Sequence, residues 1–286
     1  YASRRQPATM GRQKDHSKPN GRTSLIPLDL TGKVAVVTGA SGELGRVIGR
    51  TLAEAGAAVA LHYYRSEGKA QTTAEAIHAA GGKAMIAQAD VGERDSVDGM
   101  RDAVRAELGP ADIIVNNAVQ QYEWTSVLEQ EEGDYESQFR TCVLHNLLMA
   151  KAFVPDMIEK KSGRVIATNT ECTMQCAPSQ SAYVSGKGGQ DRLLRVLARE
   201  VGHHGITVNQ VAPGWMISDK FREDGTAHTT TGDPIDDSGY VKNVPLRRRG
   251  EDQDIANAVC FLASDLAAFI SGVYLPVAGG NVMPTI

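Results

Sequence analysis

No run of about eighteen apolar residues occurs in this 286-residue sequence, so nothing in it reads as a membrane-spanning helix. Cysteine is scarce: Cys142, Cys172, Cys176 and Cys260 are all there is. None forms Cys-x-x-Cys and no paired His/Cys spacing suggests zinc, so no metal is expected. Reduced thiols in a cytoplasmic protein are the natural reading. A surplus of positive charge is also missing. The net charge of −4 gives no reason to expect a nucleic-acid partner. Internal repeats and Pro/Ser-rich linkers are absent, which leaves one large α/β domain. The one uneven stretch is residues 1–24, with Arg4, Arg5, Arg12, Lys14, Lys18 and Arg22 against Asp15. Residues 1–28 therefore read as a basic, flexible, solvated tail, without the apolar core of a secretory signal.

What is present is a strand-helix rhythm. Lys33–Thr38 is short, apolar and β-branched, and predicts a buried strand. It runs into Gly39-Ala-Ser-Gly-Glu-Leu-Gly45 and then into a helix pattern through Val47, Ile48, Leu52 and Ala53. Strand, glycine turn and helix start together can cradle a pyrophosphate, because the backbone approaches closely and the helix amides attract an anion. Further strands are predicted at Ala57–Leu61, Ala84–Gln88, Ile113–Val115, Arg164–Thr168, Ile206–Asn209 and Val273–Val277. Helices are predicted around 69–80, 94–108, 134–159, 182–203 and 254–263. This succession predicts a parallel sheet with helices on both faces. A polar loop from about Ser218 to Asn243 is long enough to be a lid or disordered.

Tyr183 and Lys187 stand one helical turn apart, so their side chains share a face. A phenol titrates near pH 10 and is a poor proton donor or acceptor at neutrality. A fixed ammonium nearby should draw that value toward the working range. The pair is suited to carbonyl-alcohol interconversion.

In chain order, Thr38-Gly39…Gly45, Asp90-Val91, Asn116-Asn117-Ala118, Tyr183…Lys187, Asn209…Pro213-Gly214 and Ile270-Ser-Gly272…Val277-Ala-Gly279-Gly280 resemble the classical short-chain dehydrogenase/reductase family. The resemblance covers about residues 29–286 and is nearest to the 3-oxoacyl-carrier-protein reductases and related ketoreductases. It implies a single doubly wound Rossmann-type domain with a seven-stranded parallel sheet and a substrate loop at about 215–245. It also implies a homotetramer or homodimer built on the two long helices and the last strand. In that family the tyrosine moves the proton, the lysine holds the nicotinamide ribose, and a serine orients the carbonyl. Thr170 stands at the serine's position and keeps a hydroxyl.

The resemblance assigns the cofactor to Gly39, Ser41, Gly42, Leu44, Gly45, Arg65, Ser66, Asp90, Val91, Asn117, Ala118, Tyr183, Lys187, Pro213, Gly214 and Ser218. An acid ending the second strand would select NAD, but here that strand runs His62-Tyr-Tyr-Arg65-Ser66 with no acid before Glu67. Arg65 suits a 2′-phosphate, so NADP(H) is preferred and NAD(H) stays possible. The pocket for a small carbonyl or alcohol substrate is expected at Glu171, Cys172, Gln175, Trp215 and Met216, with Thr170 and Met174. Arg247–Arg249 reads as a solvated basic surface. Three positions depart from the family: Glu43 at a turn glycine, Val119 after Asn-Asn-Ala, and Cys142 where an asparagine holds a relay water. They leave open a catalytically weak dinucleotide-binding protein with a regulatory or scaffolding role, and a different reaction on the same scaffold.

Overall fold

A computed structural model describes residues 28–217 and 238–284; most of the basic tail, Ser218 and most of the polar loop lie outside those residues. The chain opens with β1 (Val34–Val37), α1 (Glu43–Glu54), β2 (Ala58–Tyr63), α2 (Glu67–Ala79), β3 (Lys83–Gln88), α3 (Arg94–Glu107) and β4 (Ile113–Asn116). All four residues of β1 are buried, as are those of β4, which is why their sequences are apolar throughout rather than alternating. Next come α4 (Glu132–Gln138), a π turn (Phe139–Leu144), α5 (His145–Lys160), β5 (Gly163–Thr168), the single turn α6 (Cys172–Gln175), α7 (Ser181–Val201) and β6 (Ile206–Pro213). The last elements are β7 (Met216–Ile217), α8 (Ser238–Asn243), β8 (Gly250–Glu251), α9 (Asp252–Ala263) and β9 (Tyr274–Val277).

Seven strands form one parallel sheet in the order β3-β2-β1-β4-β5-β6-β9, and β7 pairs with β8 in a separate two-stranded ribbon. The chain runs outward from β1 to β3, then returns to place β4 on β1's other side. At that reversal the loops leaving β1 and β4 diverge and leave a crevice at the carboxyl ends of the strands. One face of the sheet is covered by α1, α2 and α9 through Ile48, Leu52, Ile77, Ile255 and Val259. The other is covered by α3, α5 and α7 through Val97, Val104, Met149, Phe153 and Leu194. Each large apolar side chain fully buried in this way contributes on the order of 1.5–3 kcal/mol.

Two local features differ from the sequence expectation. The helix expected over 134–159 is interrupted at the π turn. There the Asn146 side-chain amide donates to the Cys142 carbonyl at 2.7 Å and its oxygen accepts from Asn116 at 2.7 Å. A side chain thus serves a carbonyl at the i+4 spacing normally filled by a backbone amide, and the helix widens there. The second difference is the ribbon of β7 and β8, too short for a period-2 pattern to announce.

Candidate active site

The crevice at the switch point is a cleft of about 1010 Å³. Its floor is the glycine turn. Thr38 Oγ1 accepts the amides of Asn117 and Ala118 at 2.8 and 3.1 Å and donates to the Val115 carbonyl at 3.3 Å, stapling the ends of β1 and β4. Gly39 has φ +66°, and a Cβ there would lie 2.9 Å from Ala118 Cα. A Cβ at Gly45 would lie 2.2 Å from the Gly39 carbonyl oxygen, so the start of α1 can nest against the turn only without a side chain. Gly42 caps α1 without a side-chain hydrogen bond, and Ser41, Gly42, Leu44 and Gly45 line the cleft. Glu43 also lines it, but its carboxylate pairs with Arg46 at 2.6 Å. An acid in the first turn of a helix is also favoured by the helix dipole, which with Arg46 offsets its charge beside an anion site.

Beneath the turn lies a residue the sequence reading missed. His62 Nδ1 accepts the Gly39 amide at 2.9 Å, and Nε2 faces the Ala89 carbonyl at 3.0 Å. Accepting at one nitrogen and donating at the other requires a neutral ring, and burial lowers its pKa in agreement. A histidine closing an apolar strand carries no sequence signal for this.

At the far end of the cleft are Tyr64, Arg65, Ser66, Asp90 and Val91. The Arg65 guanidinium lies 4.8 Å over the Tyr64 ring, and Asp90 accepts the Gly92 amide at 2.8 Å. Arg140, also missed, lines the same end between Glu93, with which it pairs, and Asp90 at 3.8 Å.

Asn117, Ala118, Val119, Thr168, Thr170, Tyr183, Lys187, Pro213 and Gly214 line the remaining part of the cleft. The Lys187 ammonium is 5.9 Å from the Tyr183 ring centroid. It is buried, and it donates to the Thr168 carbonyl at 2.6 Å and to Gln190 Oε1 at 3.2 Å. The Tyr183 amide donates to the Tyr122 hydroxyl at 2.8 Å, and its ring stacks on Trp124 with centroids 5.7 Å apart. Neither aromatic was singled out from the sequence, since their loop has no periodic pattern. Thr170 Oγ1 accepts the Cys172 amide at 3.2 Å. The expected lowering of the Tyr183 pKa is not found in the protein alone. Burial pushes the phenol above its ordinary value, and the Thr170 hydroxyl opposes this only in part. Burial also lowers the pKa of Lys187, so the ammonium's support is itself weakened. The Cys142 thiol is fully buried, points to Gln138 Oε1 at 3.9 Å, and is pushed up by burial.

The residues expected for the substrate wall lie outside this cleft. Glu171, Cys172, Gln175, Trp215 and Met216 do not line the cleft. Glu171 is buried and accepts from the Tyr240 hydroxyl and the Asn281 amide, both at 2.9 Å. That commits its carboxylate to tying α8 and the C-terminal segment to the end of β5. Cys172 and Gln175 sit in the α6 turn, where Gln175 is exposed. Trp215 packs edge-on against Tyr240 and under the Arg249 guanidinium at 4.5 Å, and Met216 is half-buried against the core. The basic run is correspondingly engaged: Arg249 is buried and donates to the Met216 carbonyl, while Arg248 pairs with Asp254 at 2.9 Å.

Residues 39–281 match the family model described as enoyl-(acyl carrier protein) reductase. The chain is 36% identical over 251 residues to the 3-oxoacyl-[acyl-carrier-protein] reductase of Staphylococcus epidermidis, covering 88% of this chain and 99% of that one. Among solved structures, a gluconate 5-dehydrogenase from Burkholderia cenocepacia in complex with NADP and tartrate superposes with a TM-score of 0.80 at 29% identity, covering 89% of this chain and 97% of its own. A 7α-hydroxysteroid dehydrogenase complexed with NADH and 7-oxo glycochenodeoxycholic acid superposes with a TM-score of 0.81 at 28% identity, covering 90% and 97%. A glycine turn at the sheet's reversal, a tyrosine and lysine across the same cleft and a match over most of the length agree: this chain belongs to the short-chain dehydrogenase/reductase family of oxidoreductases.

Proposed function

We propose that this protein is an NADP(H)-dependent ketoreductase, interconverting a carbonyl and an alcohol on a small molecule. The observation that carries the reading is the convergence of Tyr183, Lys187 and Thr170 on the cleft that holds the glycine turn. The donor set fits a dinucleotide: the turn leaves only backbone at its closest point, and the uncapped start of α1 is an anion site. Gly39, Ser41, Gly42, Leu44 and Gly45 would hold the pyrophosphate, Asp90 and Val91 the adenine, and Asn117 and Ala118 the adenosine ribose. Tyr183 and Lys187 would hold the nicotinamide ribose, with Pro213 and Gly214 along the ring.

Arg65 and Ser66 support NADP over NAD. The first acid after β2, Glu67, does not line the cleft, so no carboxylate of that stretch meets a ribose hydroxyl there. A bound nicotinamide would supply or accept the hydride. Thr170 Oγ1 orients the substrate oxygen. In reduction Tyr183 gives that oxygen its hydroxyl proton, and in oxidation it takes the proton back. Lys187 supports the resulting phenolate electrostatically. A homotetramer or homodimer accords with the half-exposed Phe139 in the π turn and Val196 on α7.

A second reading, a dinucleotide-binding protein with little turnover, draws on Cys142, whose buried thiol is a weak hydrogen-bonding group. Titration with NADPH and NADH, followed by a panel of ketones read by NADPH absorbance, separates the two. We expect NADPH to bind at least about tenfold tighter than NADH and to be consumed with some ketones. Tight binding with no turnover on any ketone would favour the second reading.

A further inference from the structure

Lys187 carries its charge where water does not reach: it is 2% exposed, and no carboxylate among the described residues pairs with it. A buried ammonium needs acceptors. One is the Thr168 carbonyl at 2.6 Å; the other is the side-chain oxygen of Gln190 at 3.2 Å, three residues along α7 on the same face. Gln190 is 1% exposed, and its Nε2 donates to the same Thr168 carbonyl at 3.1 Å. That second bond fixes the amide's orientation by chemistry. Turned over, its NH₂ would face the ammonium and its oxygen would face the carbonyl.

The surroundings offer nothing equivalent. Cys142 faces Lys187 from the π turn, but its thiol is directed to Gln138. His145 faces it from α5, with His62 of β2 beyond. Cys172 from α6 and Tyr274 from β9 face Tyr183, and Asp191, which faces Tyr274, is taken up by Arg195 at 2.7 Å and Gln210 at 2.9 Å.

We infer that Gln190 is a positioning residue for the reaction: its amide oxygen holds the Lys187 ammonium charged and in place behind Tyr183. The inference rests on the roles proposed for Tyr183 and Lys187. Gln190→Met keeps the volume and removes the acceptor, whereas Gln190→Glu keeps an acceptor and adds charge. The first readout needs neither cofactor nor substrate. In protein carrying carbon-13-labelled lysine, the Lys187 side-chain resonance, assigned by its loss in Lys187→Arg, is followed against pH. Gln190→Met should lower the titration midpoint by about half a unit or more, and Gln190→Glu should raise it. The second readout is the pH profile of alcohol oxidation. With a less charged Lys187 the phenol is harder to ionise, so the acid-side limb should move up in Gln190→Met.

An unmoved midpoint in Gln190→Met overturns the inference alone. A moved midpoint with an unmoved limb overturns the link to catalysis, and with it the roles given to Tyr183 and Lys187. If Gln190→Met does not fold, Gln190→Glu decides by the direction of its midpoint, a fall or no change overturning the inference.

Discussion

His62 Nδ1 receives the Gly39 amide at 2.9 Å, so the turn that would carry a pyrophosphate rests on a ring that must stay neutral. His145, also buried, stays neutral well into acid: burial first, then the nearby His62, takes its pKa to about 3. In the unfolded chain both rings bind a proton below about pH 6.5. Between that pH and their folded values the unfolded state holds more protons, so stability falls as pH drops and is independent of these groups above it. For His145 the loss should reach about 2 kcal/mol at pH 5, measured by urea unfolding across pH, with His145→Gln flattening the slope by about one proton.

Tyr183→Phe should keep the fold and weaken NADPH by no more than about tenfold, the loss of one hydrogen bond to the ribose, while lowering kcat by about a hundred- to ten-thousandfold. Single-turnover absorbance of NADPH checks it. Intact turnover in this variant would sink the assigned proton donor.

Gly45→Ala should lose at least about tenfold in NADPH affinity and about 1–3 kcal/mol in stability. The clash is with the Gly39 carbonyl oxygen, a backbone atom that cannot yield without opening the turn. Calorimetric titration and thermal melting report the two effects separately.

Arg65→Ala should weaken NADPH by about ten- to a hundredfold and leave NADH nearly unchanged, the loss of one charge-assisted contact to a 2′-phosphate. Equal losses for both cofactors would show that Arg65 does not discriminate between them.

The sheet and the gathering of the glycine turn, Tyr183 and Lys187 at one cleft were legible because their signals are local. The apolar run at Val34–Val37, the glycines from Gly39 to Gly45 and the one-turn spacing of Tyr183 and Lys187 each lie within a few residues. His62, Gln190, Arg140 and Tyr122 were not legible. Their partners Gly39, Thr168, Glu93 and Tyr183 stand 23, 22, 47 and 61 residues away, and no periodicity connects them. The partners of Glu171 were not legible for the same reason: Tyr240 and Asn281 come from the far end of the chain. The direction of the Tyr183 shift was misjudged because spacing reports the nearby amine but not how thoroughly the phenol is enclosed.

The Thr38 hydroxyl gathers two amides from residues 79 and 80 positions later in the chain. During synthesis, then, a ribosome must have delivered the fourth strand before the first bend acquires its final shape. An N-terminal fragment ending before Asn117 lacks both amides and so cannot fix that bend.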